Sequence, residues 1–321
     1  MSPTKIDIKV QFEKAWALIE IAHDIFLSTH EGTDGDDLGS LLAVKKVLEK
    51  QNKKITAAVK DGVPKNLLFL AGAREVSDQF EDKKYDLAII FGCNKLARTG
   101  FKAMANINCR IINFDHHPDN TNFGDVNIVD ASTSAVAELV YYFLLFKKIE
   151  IDKDIATCLL TGIFTDTGGF KHANTSAEAL ETAAALMKKG ARIERIAQQT
   201  TSSKAPNTIR AWSKALENTR FDPEKKLIFS VLTEEDLKEI GASENDLDGF
   251  VEFLNNIPQA KFALVLRQDG EIVKGSLRSD LGKGVDVSLI ARAFGGGGHK
   301  LASGFKIRGR LKREDQGWKI E

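Results

Sequence analysis

The stretch THEGTDGDDLGS, residues 29–40, sets one imidazole (His30) and three aspartates (Asp34, Asp36, Asp37) within eight positions, directly behind the apolar run DIFLS. Asp34 and Asp36 flank Gly35, so a turn there lets two carboxylates converge while His30, four positions earlier, approaches from the side. Carboxylates with one imidazole suit Mn²⁺, Mg²⁺, Fe²⁺ or Zn²⁺, and an oxygen-rich set favours the harder ions. An Asp-rich loop that caps a helix beginning near Asp37 is the competing explanation, since acids are favoured at helix N-termini. A second cluster, RIINFDHHPDN, delivers Asp115, His116 and His117 straight from an apolar run. Adjacent imidazoles there would lack partners if packing were their purpose. A third, LLTGIFTDTGGF, puts Asp166 in a largely apolar helix, where a carboxylate is costly unless it is paired, caps the TDTGG turn or binds a cation. Three such clusters at the ends of elements point to one metal centre.

The elements that must position them alternate. DIFLST, KITAAV, DLAIIF and RIINF read as strands; DDLGSLLAVKKVLEKQ and segments 134–146, 155–164 and 176–188 carry apolar residues at helical spacing. Such alternation predicts an α/β fold with a mainly parallel sheet flanked by helices, and ligands of such sheets bind outside the carboxyl ends of the strands. Residues 191–222 read as a helical linker broken at TTSSKAPN. A second, smaller α/β domain follows: strand KLIFSVL, helical NDLDGFVEFLNNI, strands KFALVLR and EIVKGSLRS joined at QDG, helix DVSLIARAF, four glycines, and a last strand near SGFKIRG.

Composition sets bounds. The 321 residues are 43% hydrophobic and 28% charged, enough for two packed domains. Net charge is zero, which argues against a protein that coats long duplexes, yet residues 261–321 hold 13 Lys+Arg against 7 Asp+Glu. That local excess fits either a solvated basic face or an anion-holding domain. Cys93, Cys109 and Cys158 lack metal-type spacing and read as reduced, buried thiols. With no run near the roughly 20 apolar residues of a membrane span, and a polar N-terminus, a cytoplasmic protein is expected.

The Asp115-His116-His117 triplet, HEGTDGDDLGS, GIFTDTGGF and GGGGHKLASGF together resemble, in order, the motifs of the DHH phosphoesterases with their DHH-associated C-terminal domain. The resemblance spans essentially the whole chain and implies a catalytic domain at 1–190, a linker at 191–222 and a substrate-binding domain at 223–321. It implies two ions, Mn²⁺ first, with Mg²⁺, Co²⁺, Zn²⁺ or Fe²⁺ as alternatives. By motif, His30 and Asp34 would hold one ion and Asp36, His116 and Asp166 the other. His117 would face the scissile phosphate, Asp115 would orient its neighbour, and metal-activated water would attack phosphorus. The chain departs from the family where a strand-end Asp bridges both ions: the matching strand YDLAIIFGCNKLARTG has Gly92 there. Asp37 reads as an exposed helix-start acid, with Asp37 itself, Cys93, Asn94, a water or a substrate phosphate left open as replacements.

In the C-terminal domain, Gly296, Gly297 and Gly298 would bring backbone N–H groups to a phosphate, with Arg278 as a bidentate fork and Ser279 and His299 completing the pocket, Lys300 at its rim. Tight packing is the alternative for the glycines. Phe294 and Phe305 are the nearest stacking candidates. The expected substrate is a short single-stranded oligonucleotide or a small nucleotide, such as a cyclic dinucleotide or phosphoadenosine phosphate, with no membrane partner and a homodimer left open. A catalytically impaired nucleotide sensor, motivated by Gly92, and an inorganic pyrophosphatase are the competing readings.

Overall fold

A computed structural model of the chain describes residues 3–201, 206–314 and 317–321. It divides into two compact units, Met1–Ser203 and Lys204–Glu321.

The first unit runs α1 (Pro3–Ile21), β1 (Asp24–Thr29), α2 (Gly35–Lys50), β2 (Lys54–Ala57), β3 (Leu87–Phe91), β4 (Arg110–Asp115), β5 (Val126–Val129), α3 (Val136–Phe146), α4 (Lys153–Asp166), α5 (Ala177–Lys188) and α6 (Ile193–Thr201). Its five strands pair in parallel in the order β2-β1-β3-β4-β5. β1, β3 and β4 are buried along almost their whole length, as expected of strands covered on both faces. Phe91 and Phe114 stack at 5.5 Å between ring centroids, and Phe114 meets Phe143 of α3 edge-on at 5.4 Å. The strand order reverses between β1 and β3, the kind of switch point where doubly wound sheets open a crevice.

Two glycines let α2 and α4 touch backbone to backbone. A Cβ on Gly39 would collide with the carbonyl oxygen of Cys158, and one on Gly162 would lie 2.6 Å from Ala137 Cβ and 2.8 Å from Asp36 Oδ1. This close approach carries the start of α2 to the end of α4.

The second unit holds α7 (Pro206–Glu217), β6 (Arg220–Asp222), β7 (Leu227–Leu232), α8 (Glu234–Glu239), α9 (Phe250–Asn255), β8 (Phe262–Asp269), β9 (Ile272–Ser279), α10 (Val287–Ala293), β10 (Gly297–His299), β11 (Ala302–Arg308), β12 (Leu311–Glu314) and β13 (Gly317–Ile320). Six strands form a mixed sheet in the order β10-β11-β9-β8-β7-β6, and β12 and β13 make a separate hairpin. The tight β8–β9 connection expected at the Asp-Gly pair is present, with Gly270 at φ +57°.

The segment expected to link the domains divides between the units. Ile196 of α6 lies in the first unit's core, whereas Ala211 and Ala215 of α7 lie in the second's. Residues 202–205, inside the expected break, fall outside the described residues. Among the described residues no helix is long and apolar enough to cross a membrane.

Candidate metal centre

Two strand ends and two helix ends supply the site. β1 ends at Thr29 and hands over to His30, whose Nδ1 sits 2.6 Å from the carbonyl oxygen of Glu31. A carbonyl only accepts, so Nδ1 carries the proton and Nε2 is the nitrogen that faces the acids. That Nε2 lies 2.7 Å from Asp37 Oδ2 and 3.9 Å from Asp34 Oδ2. The hydrogen bond that His30 donates to Asp37 is the main cause that lifts the His30 pKa to about 9.

Asp34 caps α2 and faces the centre at once. Its Oδ1 accepts from the backbone N–H of Asp36 (3.0 Å) and Asp37 (3.1 Å), leaving Oδ2 toward His30. Capping, weighed against ligation from the sequence, engages one oxygen of this carboxylate and leaves the other open to a cation. Asp36 is buried, and its two oxygens accept from Val136 N–H (2.7 Å) and Ala137 N–H (2.8 Å). The first residue before α3, Ala135, has no side chain to cap that helix, so Asp36 does so from α2. Burial, followed by the charges of Asp166, Asp37 and Asp34, pushes the Asp36 pKa well up.

Asp37 corrects an expectation. It is 3% exposed rather than a solvated helix-start acid, because the first turn of α2 points it inward to His30. Burial and then the charge of Asp34 raise its pKa to about 6.

At the end of β4, Asp115 is fully buried; its Oδ1 receives hydrogen bonds from His117 Nδ1 (2.6 Å) and His116 N–H (2.8 Å), and its Oδ2 one from Asn120. Burial works to raise its pKa, but the bonds from His117 and Asn120 outweigh it and the net direction is down. The same bond raises the pKa of His117, which keeps its Nε2 turned away from Asp115. His116 donates Nδ1–H to the Thr133 carbonyl oxygen (3.3 Å), and its Nε2 lies 3.9 Å from Asp166 Oδ2. Asp166, the last residue of α4, accepts from Asn174 Nδ2 at 3.1 Å; its pKa is raised, chiefly by burial.

The five predicted ligands thus gather in two groups, His30 with Asp34, joined by the unpredicted Asp37, and Asp36 with His116 and Asp166; within each, ligand atoms lie within 4.8 Å of one another. The buried Asp36 and Asp37 and the partly buried Asp166, all with raised pKa values, join the exposed Asp34 and two imidazoles whose outer nitrogens are already pinned in a donor set that fits divalent cations of the harder kind. Cys93 packs among Phe26, Ile90 and Phe101, and burial pushes its thiol far up, away from the thiolate form that a metal ligand takes. Asn94 donates Nδ2–H to Asp119 at 2.8 Å, while its Oδ1 is buried without a hydrogen-bond partner.

Several contributors escaped the sequence reading. Asn120 and Asn174 steer Asp115 and Asp166. Arg98 is tied to the His30 loop by the Glu31 N–H to its carbonyl oxygen (2.7 Å), and its charge opposes protonation of His117.

In the second unit, register places Arg278 of β9 and His299 of β10 on one row across Ala302 of β11. Arg278 is not a free fork: its Nε donates to Glu252 Oε1 at 2.7 Å and its Nη1 to the Leu277 carbonyl oxygen at 2.8 Å. Ser279 is buried and donates to the Lys261 carbonyl oxygen at 2.9 Å, which removes its hydroxyl from any surface pocket. Gly296 and Gly298 serve close packing, since a Cβ there would lie 2.6 Å from Phe305 Cα and from the Ala302 oxygen respectively; Gly297 is open. Phe294 is half-exposed and packs on Phe305 at 4.9 Å.

Comparison with known proteins agrees with this anatomy. Residues 24–163 match the DHH family, N-terminal domain, and residues 224–316 match the DHHA1 domain. The bifunctional oligoribonuclease and PAP phosphatase NrnA of Thermus thermophilus is 31% identical over 285 residues, covering 89% of this chain and 84% of that protein. Its Bacillus subtilis namesake is 24% identical over 300 residues, covering 90% and 91%. The crystal structure of an exopolyphosphatase-related protein from Bacteroides fragilis superposes with a TM-score of 0.85 at 27% identity, covering 93% of this chain and 91% of that one. This chain belongs to the DHH family.

Proposed function

We propose that this metal-dependent phosphoesterase hydrolyses phosphodiester or phosphomonoester bonds of short oligonucleotides or small nucleotides, with Mn²⁺ as its ion. The two donor groups at the carboxyl edge of one parallel sheet carry the reading. His30 and Asp34 hold one cation, and Asp36, His116 and Asp166 the other. Bound there, such cations acidify a water and offset charge on the phosphoryl oxygens. Asp115 fixes the Nδ1 proton of His117, so that Nε2 is presented to a phosphoryl oxygen and, in the imidazolium, donates to it. Arg98 adds a second cationic contact beside it. The substrate class is supported by the relatives named as oligoribonuclease and PAP phosphatase. In the second unit, Arg278 and His299, in register across Ala302, offer an anion site. Three free cysteines suit the reducing cytoplasm.

The sensor reading drew its motive from Gly92, and it weakens because a carboxylate, that of Asp37, fills the space beside that glycine. Chelator-treated protein should hydrolyse di- to pentanucleotides or 3′-phosphoadenosine 5′-phosphate once Mn²⁺ is restored. No turnover of either with Mn²⁺, Mg²⁺, Co²⁺ or Zn²⁺ overturns the proposal.

A further inference from the structure

Sheet order decides what lies between the two donor groups. β3 is flanked by β1 and β4, with Phe91 paired to Thr29 on one side and to Phe114 on the other. The next residue, Gly92, therefore sits between His30, from the first group, and the Asp115-His116 end, from the second. Its N–H donates to the Phe114 carbonyl oxygen at 2.9 Å, and its φ of +64° is a left-handed conformation. A Cβ at this position would fall inside the Asp37 carboxylate, meeting Oδ1, Cγ and Oδ2 at once. The carboxyl of Asp37 thus occupies the space that a side chain from the middle strand would fill. One of its oxygens faces His30 at 2.7 Å, and its neighbour in the chain, Asp36, belongs to the other group.

We propose that Asp37 is a carboxylate shared by the two metal ions, delivered from the first turn of α2 across the gap left by the missing side chain of Gly92. The inference rests on the two-cation reading above and adds a ligand to it. Residues 37 and 92 form an either-or pair, in which one position supplies the carboxylate and the other must be empty. A carboxylate between two cations lowers their mutual repulsion, so its loss weakens the second ion most.

The test uses full-length protein, chelator-treated and titrated with Mn²⁺, read by calorimetry and by electron paramagnetic resonance, which detects magnetic coupling between two bridged Mn²⁺ ions. Wild type should bind two ions and show coupling. Asp37→Asn keeps the shape of the side chain and should leave one strong site, with the second weakened on the order of 100-fold and the coupling lost. Gly92→Asp alone crowds two carboxylates into one space and should bind Mn²⁺ worse than wild type. Asp37→Ala combined with Gly92→Asp should recover the second ion and the coupling. A coupled pair of ions retained at wild-type affinity in Asp37→Asn overturns the proposal, as does a folded double variant no better than Asp37→Ala. Failure here is separable from failure of the enzymatic reading. Coupled ions without hydrolysis would sink the latter alone, and hydrolysis with coupling intact in Asp37→Asn would sink the former alone.

Discussion

Replacing Gly39 by Ala pits helix propensity against packing. Ala is favoured over Gly in a helix interior by about 1 kcal/mol, so propensity alone predicts a more stable protein. Position 39, however, faces α4, where the new methyl would strike the Cys158 carbonyl oxygen and approach its carbonyl carbon to 3.2 Å and Gly162 N to 3.4 Å. These are backbone atoms of a helix whose Cys158, Leu159 and Ile163 side chains are fully buried, so they have no rotamer to change. Overpacking of this kind costs up to about 3 kcal/mol. The net is a loss of about 2 kcal/mol, equivalent to roughly 4–8 °C in melting temperature for a unit of this size. The damage should reach the metal site, because Asp36 leaves the first turn of α2 and Asp166 the last of α4. Parting the helices separates two members of one donor group. Thermal unfolding of the metal-free protein followed by circular dichroism, with Mn²⁺ titration at 25 °C, reads both effects. A variant that melts at or above wild type and binds Mn²⁺ unchanged would refute the claim that these glycines set the site.

Three further outcomes follow from the site. Asp115→Asn should lower kcat on the order of 100-fold while two Mn²⁺ still bind, and the alkaline limb of the pH profile should move to lower pH, since the His117 pKa is raised first by its bond to Asp115. Metal-free protein should lose stability as pH rises: Asp37 is lifted from 3.8 to about 6 and His30 from 6.5 to about 9, and a raised folded pKa stabilises below the unfolded value and is lost on passing the folded one. Melting temperature of chelated protein should therefore fall from about pH 4 upward, and saturating Mn²⁺ should remove that slope; a flat profile without metal contradicts the burial assigned to these acids. Glu252→Gln should lower KM a few-fold by freeing Arg278 from a half-exposed ion pair of modest strength, and an unchanged KM would place Arg278 outside the substrate site.

Much of this was legible because strands buried on both faces leave a plain mark. DIFLST, DLAIIF and RIINF are apolar without alternation, and the Asp and His residues that follow them mark the sheet's carboxyl edge. Helix α1 was readable but passed over: Phe12, Ala15, Trp16 and Ile19 fall at helical spacing and are buried, with Phe12 and Trp16 against Phe143 at 5.4 and 5.8 Å. The start of α2 was placed late because Asp34, not a later acid, takes the cap. Arg278 looked free because its partner, Glu252, comes from helix α9, 26 residues away.

Asp37 is the instructive miss. Next to Asp36 at the head of a helix, an acid has every local reason to face water, and dipole and propensity agree on that. What buries it is the absence of an atom 55 positions later, in a strand that is neighbour to β1 only because the sheet order is β2-β1-β3-β4-β5. Gly92 alone reads as a lost ligand and Asp37 alone as a surface charge. Each makes physical sense only when register puts one in the space left by the other, and a substitution at either position should be judged by what stands at both.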